Sequence, residues 1–286
     1  MKKINVWTLT VLFAVLTMAF TPTKLGNKKN YPEEKLGWKL GAQAYTFRLF
    51  SFAEAVDKIA ASNMRFVEAF PGQDIGSGST EKMGYGLSAE GRTLVKKILK
   101  DKGVTLYAFG VVGASDEAEW EKVFSFAKDM GVQVITTEPN EDQLDILSKL
   151  CDKYQIKIAI HNHPDPSHYW KPETVLKAIE GRSKLMGAGA DVGHWMRSGL
   201  DPVACLQKLN GRVYHLHFKD LNKFGVQDAH DVHWGTGKLP LQGIIDELKR
   251  QKFKGMLSAE YEYNWENNQA DVAQSAANFR AQLLKK

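Results

Sequence analysis

The chain has 286 residues, 43% hydrophobic and 25% charged, an ordinary globular composition with enough length for one large core or two smaller ones. Its formal charge of +5 is modest, and basic residues sit beside acidic ones along the chain, which excludes a nucleic-acid groove. Two cysteines, Cys151 and Cys205, are too few for a disulfide scaffold.

The opening stretch MKKINVWTLTVLFAVLTMAFTPTK puts two lysines before an apolar run from Val6 to Phe20 and then turns polar. That is the layout of a secretory signal, or of an N-terminal anchor, since no small-x-small cleavage site stands out. The run is too short for a comfortable membrane span. Residues 1–25 are assigned to this segment and 26–37 to a linker. The remainder is expected in an exported, periplasmic compartment, with no membrane span of its own.

From residue 38 the chain alternates between short apolar runs and amphipathic stretches. The apolar runs are 39–47, 65–70, 104–110, 132–139, 156–164, 185–193, 212–219 and 255–263. Helical segments fill the gaps. SFAEAVDKIAAS begins with Ser51 and has Glu54 three residues on, a capping box. SDEAEWEKVFSFAKDMG opens at Ser115 with acids in its first turn and closes at Gly131. Strands alternating with helices argue for parallel βαβ units, and eight such units in about 250 residues fit a single closed (β/α)8 TIM barrel spanning 38–286. A doubly wound open sheet is the competing fold, but no G-x-G-x-x-G follows the first strand. In the barrel the two cysteines fall on helices separated by a third, too far apart to bridge.

In such a barrel the active site lies at the C-terminal ends of the strands. Residues capable of chemistry gather there. Glu68 lies near the end of the second strand and Glu138 ends the fourth. His161 and His163 end the fifth, and Asp191 the sixth. His217 and Lys219 end the seventh, and Glu260 and Glu262 the eighth. All eight histidines fall between positions 161 and 233. Three acids and an imidazole on separate strands, aimed at one axis, make a divalent-metal site. The expected ligands are Glu138, Asp191, His217 and Glu260. Without a cation, three such carboxylates would repel and force protonation. Oxygen-rich ligation favours Mn, with Mg, Co or Zn compatible.

The competing structural roles are a helix cap for Asp191 and a surface carboxylate for Glu138 and Glu260. His215, one layer deeper than His217, reads as a hydrogen-bonded core residue. On the same strand, Tyr214, Leu216 and Phe218 are expected to face the helices. Glu68 either touches substrate or holds a neighbouring strand. Lys219 either stabilises a developing oxyanion or pairs with a strand-end acid. Trp195, Trp234 and Trp265 either stack on a sugar or pack at the barrel rim.

The motifs TTEPN (136–140), IHNHP (160–164), DVGHW (191–195), HLHFKD (215–220), WGTGKLPLQGIIDELKRQKFKG (234–255) and SAEYEY (258–263) resemble those of the xylose isomerase-like TIM barrels. That family includes sugar isomerases and epimerases, inosose dehydratases and the type-four AP endonucleases. The resemblance implies that Glu138, Asp191, His217 and Glu260 hold one divalent metal. It matches His194 to the position that touches substrate hydroxyls and His163 to the position beside the metal after the fifth strand. From their strand-end placement, His163, His161, Glu68, Trp195 and Trp234 are further candidates for substrate contact. The resemblance makes Glu138 and Glu260 an acid/base pair, assisted by Lys219, acting on a small carbohydrate through a metal-stabilised enediolate. The segments VEAFPG and YAFGVVG lack the histidines that the endonucleases carry at their second and third strand ends, so DNA repair is not expected. No glycine-rich phosphate cradle is evident, which points to an unphosphorylated saccharide. A keto-glycoside lyase or hydrolase using the same metal and base is the alternative, and a non-catalytic carbohydrate-binding barrel a third. A homo-oligomer is left open.

Overall fold

The computed structural model describes residues 31–285. The expected signal or anchor (1–25), and the first part of the linker, lie outside the described residues. Eight parallel strands close into one barrel. They are β1 (Lys39–Gln43), β2 (Phe66–Ala69), β3 (Thr105–Phe109), β4 (Val134–Thr137), β5 (Lys157–His161), β6 (Met186–Asp191), β7 (Val213–Phe218) and β8 (Met256–Ala259), with β1 pairing both β2 and β8. Each predicted apolar run contains one of them. The strands are shorter than the runs, so Glu138, Lys219 and Glu260 stand just past their strand ends.

The outer layer comprises α1 (Phe52–Ala61), α2 (Ala89–Lys102), α3 (Glu117–Met130), α4 (Leu144–Tyr154), α5 (Pro172–Ala178), α6 (Val192–Arg197), α7 (Pro202–Leu209), α8 (Leu241–Arg250) and α9 (Gln269–Leu283). The capping box at Ser51 and Glu54 is formed. At α3 the cap is Asp116, one residue beyond the expected Ser115. The Asp116 carboxylate accepts the Glu119 N–H, while Glu119 turns back to the Ser115 N–H and hydroxyl. Residues 32–36, placed in a linker by sequence, form a 3-10 turn that belongs to the folded unit. Glu33 is buried there against Arg280 of α9, with an N–O distance of 2.5 Å. Cys151 on α4 and Cys205 on α7 are free thiols, and burial pushes each up to about 12. Among the described residues no helix is long and apolar enough to cross a membrane.

The barrel interior is layered. Tyr107, Ala108, Val134, Ala159 and Met256 fill the N-terminal end, with Phe66 and Tyr214 packed on them. Tyr214 departs from the expected alternation. Val213 pairs with Ala188 but His215 pairs with Gly189, so β7 slips by one residue and Tyr214 has no partner on β6. Its ring instead fills the space over Gly187, where an added Cβ would sit 2.6 Å from the ring. Leu216 and Phe218 do face the outer core as expected.

Candidate active site

The inner face of β6 is small, and that makes room for imidazoles. Gly189 pairs with His161 on β5 on one side and with His215 on β7 on the other. Above them lie Asp191, His217 and Glu260. His161, Asp191, His217 and Glu260 are all buried, and each offers a ligand atom within 4.8 Å of the others'.

In each of these four, one buried atom has no hydrogen bond: His161 Nε2, Asp191 Oδ2, His217 Nδ1 and Glu260 Oε2. Buried polar atoms are rarely left this way, and four facing one point call for a shared partner. Close approaches do occur, with Lys219 Nζ 3.0 Å from Asp191 Oδ2 and 2.7 Å from Glu260 Oε2, and His217 Nδ1 2.9 Å from Glu260 Oε2. They lack hydrogen-bond alignment. Two carboxylate oxygens and two imidazole nitrogens suit a divalent cation, so the residues fit the expected metal.

The remaining atoms of the four are anchored. Asp191 Oδ1 accepts the His194 N–H at 2.8 Å and caps α6, so this residue fills the cap and leaves its second oxygen to the cluster. His161 Nδ1 is 2.8 Å from Glu138 Oε1, and His217 Nε2 is 2.8 Å from Glu68 Oε2. Each imidazole thus has a carboxylate behind it, the arrangement that orients metal-binding histidines. Glu138 therefore stands in a neighbouring group with His161 and His163, and not within the buried four. Glu68 is fully buried beneath the site. Its oxygens take bonds from Thr136, His215, His217 and Ser258, so it reaches the site only through His217. His215 is the hydrogen-bonded core residue that its depth suggested.

The electrostatics follow from this crowding. Burial opposes ionisation of Asp191, yet His194, Lys219 and His161 hold its carboxyl well below the usual range. Burial likewise opposes protonation of His217, but Glu260 and Glu68 hold its imidazole well above its ordinary value. Burial alone would raise Glu138. Hydrogen bonds from His161 and His163 outweigh it and bring the carboxyl down to about 2. His194, desolvated, is pushed well below an ordinary histidine despite Asp191 nearby. Burial disfavours the Lys219 ammonium, but Asp191, Glu260 and Glu262 keep it firmly charged. A metal at this point would take Nδ1 of His217 in its unprotonated form, so binding is expected to compete with protons.

A cavity of about 240 Å³ opens above the cluster. It is lined by Gln43, Tyr45, Phe70, Pro71, Val111, His163, His194, Glu260 and Glu262. Lys219 is not at its surface: the side chain is fully buried, with Nζ 2.7 Å from Glu262 Oε2 as well. Of its two sequence alternatives, the pairing with strand-end acids is the one formed. Gly193 permits this, since a Cβ there would meet Lys219 Cβ at 2.5 Å. Trp195 and Trp234, expected at the substrate, are instead core residues, each 1% exposed. Trp234 packs against Phe218 and Phe279 on the outer face of the barrel.

Sequence reasoning missed Gln43, Tyr45, Phe70 and Val111 in the cavity wall, because nothing in an apolar strand end marks it as pocket. It also missed Arg197, whose Nη1 lies 3.1 Å from His194 Nδ1 and 3.4 Å from Glu262. The i,i+3 spacing of His194 and Arg197 on one helix was the available signal.

The chain belongs to the xylose isomerase-like TIM barrel family, whose model matches residues 56–282. It is 27% identical over 151 residues to an inosose dehydratase of Lactiplantibacillus plantarum, a match covering 48% of this chain and 50% of that protein. The chain spans about half the length of the curated relatives it matches. An uncharacterised protein of Parabacteroides distasonis has a similar structure at a TM-score of 0.70 and 39% identity, covering 85% of this chain and 98% of that one. The 3-keto-D-glucoside 4-epimerase of E. coli shares the fold at a TM-score of 0.65 and 15% identity, covering 85% and 99%.

Proposed function

We propose that the protein is a divalent-metal-dependent sugar enzyme of the isomerase/epimerase type, removing a proton next to a carbonyl of an unphosphorylated saccharide. The observation that carries this reading is the convergence of four buried ligand atoms without hydrogen bonds, from His161, Asp191, His217 and Glu260, beneath a cavity that Glu260 lines. A cation held there by these side chains would polarise a carbonyl and its neighbouring hydroxyl. Glu260 lines the cavity and is held ionised by His217 and Lys219 against its burial, so it can accept a proton. His163, its ring stacked on His194 at 5.1 Å, faces the cavity and can hydrogen-bond a sugar hydroxyl through Nε2, while His194 is held by Arg197 and Lys219. Glu138, held between His161 and His163, stands ready to exchange a proton through the cavity-facing imidazole. Lys219 acts from behind, fixing Glu260 and Glu262. Among the described residues no lysine or arginine lines the cavity while two glutamates do, which disfavours a phosphate dianion.

A second reading, elimination next to the carbonyl, is favoured by the inosose dehydratase relative, because loss of water and loss of a glycosidic group begin with the same proton removal. From the signal-like N-terminal sequence alone, we propose that either activity acts outside the cytoplasm.

The test is solvent-deuterium exchange. The protein loaded with Mn should exchange the hydrogen next to the carbonyl of a free ketose or a 3-keto-glycoside, with products identified by NMR. Glu138→Gln should keep the metal, because both imidazoles remain, and lose the exchange by about a hundredfold or more. Exchange at the wild-type rate in that variant removes Glu138 from the chemistry.

A further inference from the structure

The cavity has two unlike walls. His163, His194 and Glu262 line one side, and Tyr45, Phe70, Pro71 and Val111 the other, from the segments that follow β1, β2 and β3. The second wall offers little to a sugar hydroxyl. Phe70, Pro71 and Val111 have no polar side-chain atom, and Gln43 beneath them spends its amide on the Gly110 carbonyl and the Tyr45 N–H. The Tyr45 oxygen accepts from Arg48 Nη1 at 2.5 Å, which leaves its O–H as the one side-chain donor on this wall. The aromatic rings brace one another: Tyr45 meets Phe70 edge-on at 5.3 Å and Trp265 at 5.9 Å. Arg48 lies 3.8 Å over the Trp265 ring, holding this group in place at the mouth. Beyond Arg48, Leu49 is 58% exposed after β1.

We infer that the substrate is a glycoside bearing an apolar, aromatic aglycone, which packs on the wall formed by Tyr45, Phe70, Pro71 and Val111. This rests on the reading of the cavity as a sugar site and names the substrate class it selects. A free sugar could set only its C–H face on that wall, whereas an aromatic ring removes more apolar surface from water on both partners. A second sugar ring would need more hydroxyl partners than the single Tyr45 O–H supplies.

The experiment compares methyl with phenyl β-D-glucopyranoside, and methyl with phenyl β-D-galactopyranoside, by calorimetry on the full chain loaded with Mn. The phenyl member of at least one pair should bind roughly tenfold tighter. In saturation-transfer NMR on the wild-type protein, its aromatic protons should receive more saturation than its sugar protons. Phe70→Ala should bring the affinity ratio toward one, and the saturation pattern decides if that variant fails to fold. Equal affinity within both pairs, or no binding of any of the four, overturns the inference. Deuterium exchange on free ketoses separates the two failures: exchange without a phenyl preference sinks the aglycone alone, and the absence of both sinks the sugar reading with it.

Discussion

His215 and His217 sit two residues apart on one face of β7, and both touch the same Glu68 oxygen, at 2.6 and 2.8 Å. Only His217 keeps a second nitrogen facing Asp191 and Glu260. Depth along the strand therefore separates a core residue from a candidate ligand. Glu68 accepts a hydrogen bond from His217 Nε2–H, which turns Nδ1 toward Asp191 and Glu260 as the nitrogen that would bind a metal. Replacing Glu68 with glutamine removes the charge but keeps the shape. Glu68→Gln should weaken divalent-metal affinity by about 10- to 100-fold, measured by competition titration against a chromophoric chelator. Unchanged affinity would mean that Glu68 only props the interior.

At the scale of elements, the site depends on how strands and helices are tied off. Gly41 on β1 approaches β2 so closely that a Cβ would lie 2.1 Å from the Phe66 carbonyl oxygen, so only glycine lets the barrel close there. The ends of the folded unit are tied by Glu33 and Arg280, which join the 32–36 turn to α9. Breaking one side of a buried pair leaves the other charge without a partner. Arg280→Ala should therefore destabilise the protein by about 3–5 kcal/mol, read from urea unfolding midpoints. Arg280→Met together with Glu33→Leu should recover much of that loss, because no charge is then left stranded.

For the molecule as a whole, pH should act through Asp231 as well as through the cluster. Asp231 is fully buried, and desolvation pushes its carboxyl up to about 7, with Lys219 and Arg197 opposing only in part. An unfolded aspartate titrates near 3.9, so between about pH 4 and pH 7 the folded state binds more protons. This group accordingly favours folding at low pH and subtracts stability as pH rises through that window. Asp231→Asn should raise Tm relative to wild type at pH 8 and leave it nearly unchanged at pH 4. A Tm difference that is the same at both pH values would show that burial of this charge is not the cause.

Much of this protein is written locally. Strand and helix periods, the capping box at Ser51 and the glycine stop at Gly131 depend on neighbours in sequence, so eight βα units were legible before any packing was known. The ends of β5 to β8 were legible too, because a barrel sends chemistry to its C-terminal face, and His161, Asp191, His217 and Glu260 all lie there. Which atoms converge was not legible. That depends on the stagger of eight strands closed on one another, a sum of small register steps such as the slip at Gly189 that turns Tyr214 inward. The same stagger brings His161 into the buried four and leaves Glu138 behind it, and it covers Lys219 completely. Composition could show that acids and imidazoles end these strands. Only the closed barrel decided which of them share a point, because hydrogen-bond register and burial are properties of strands that meet far from one another in the chain.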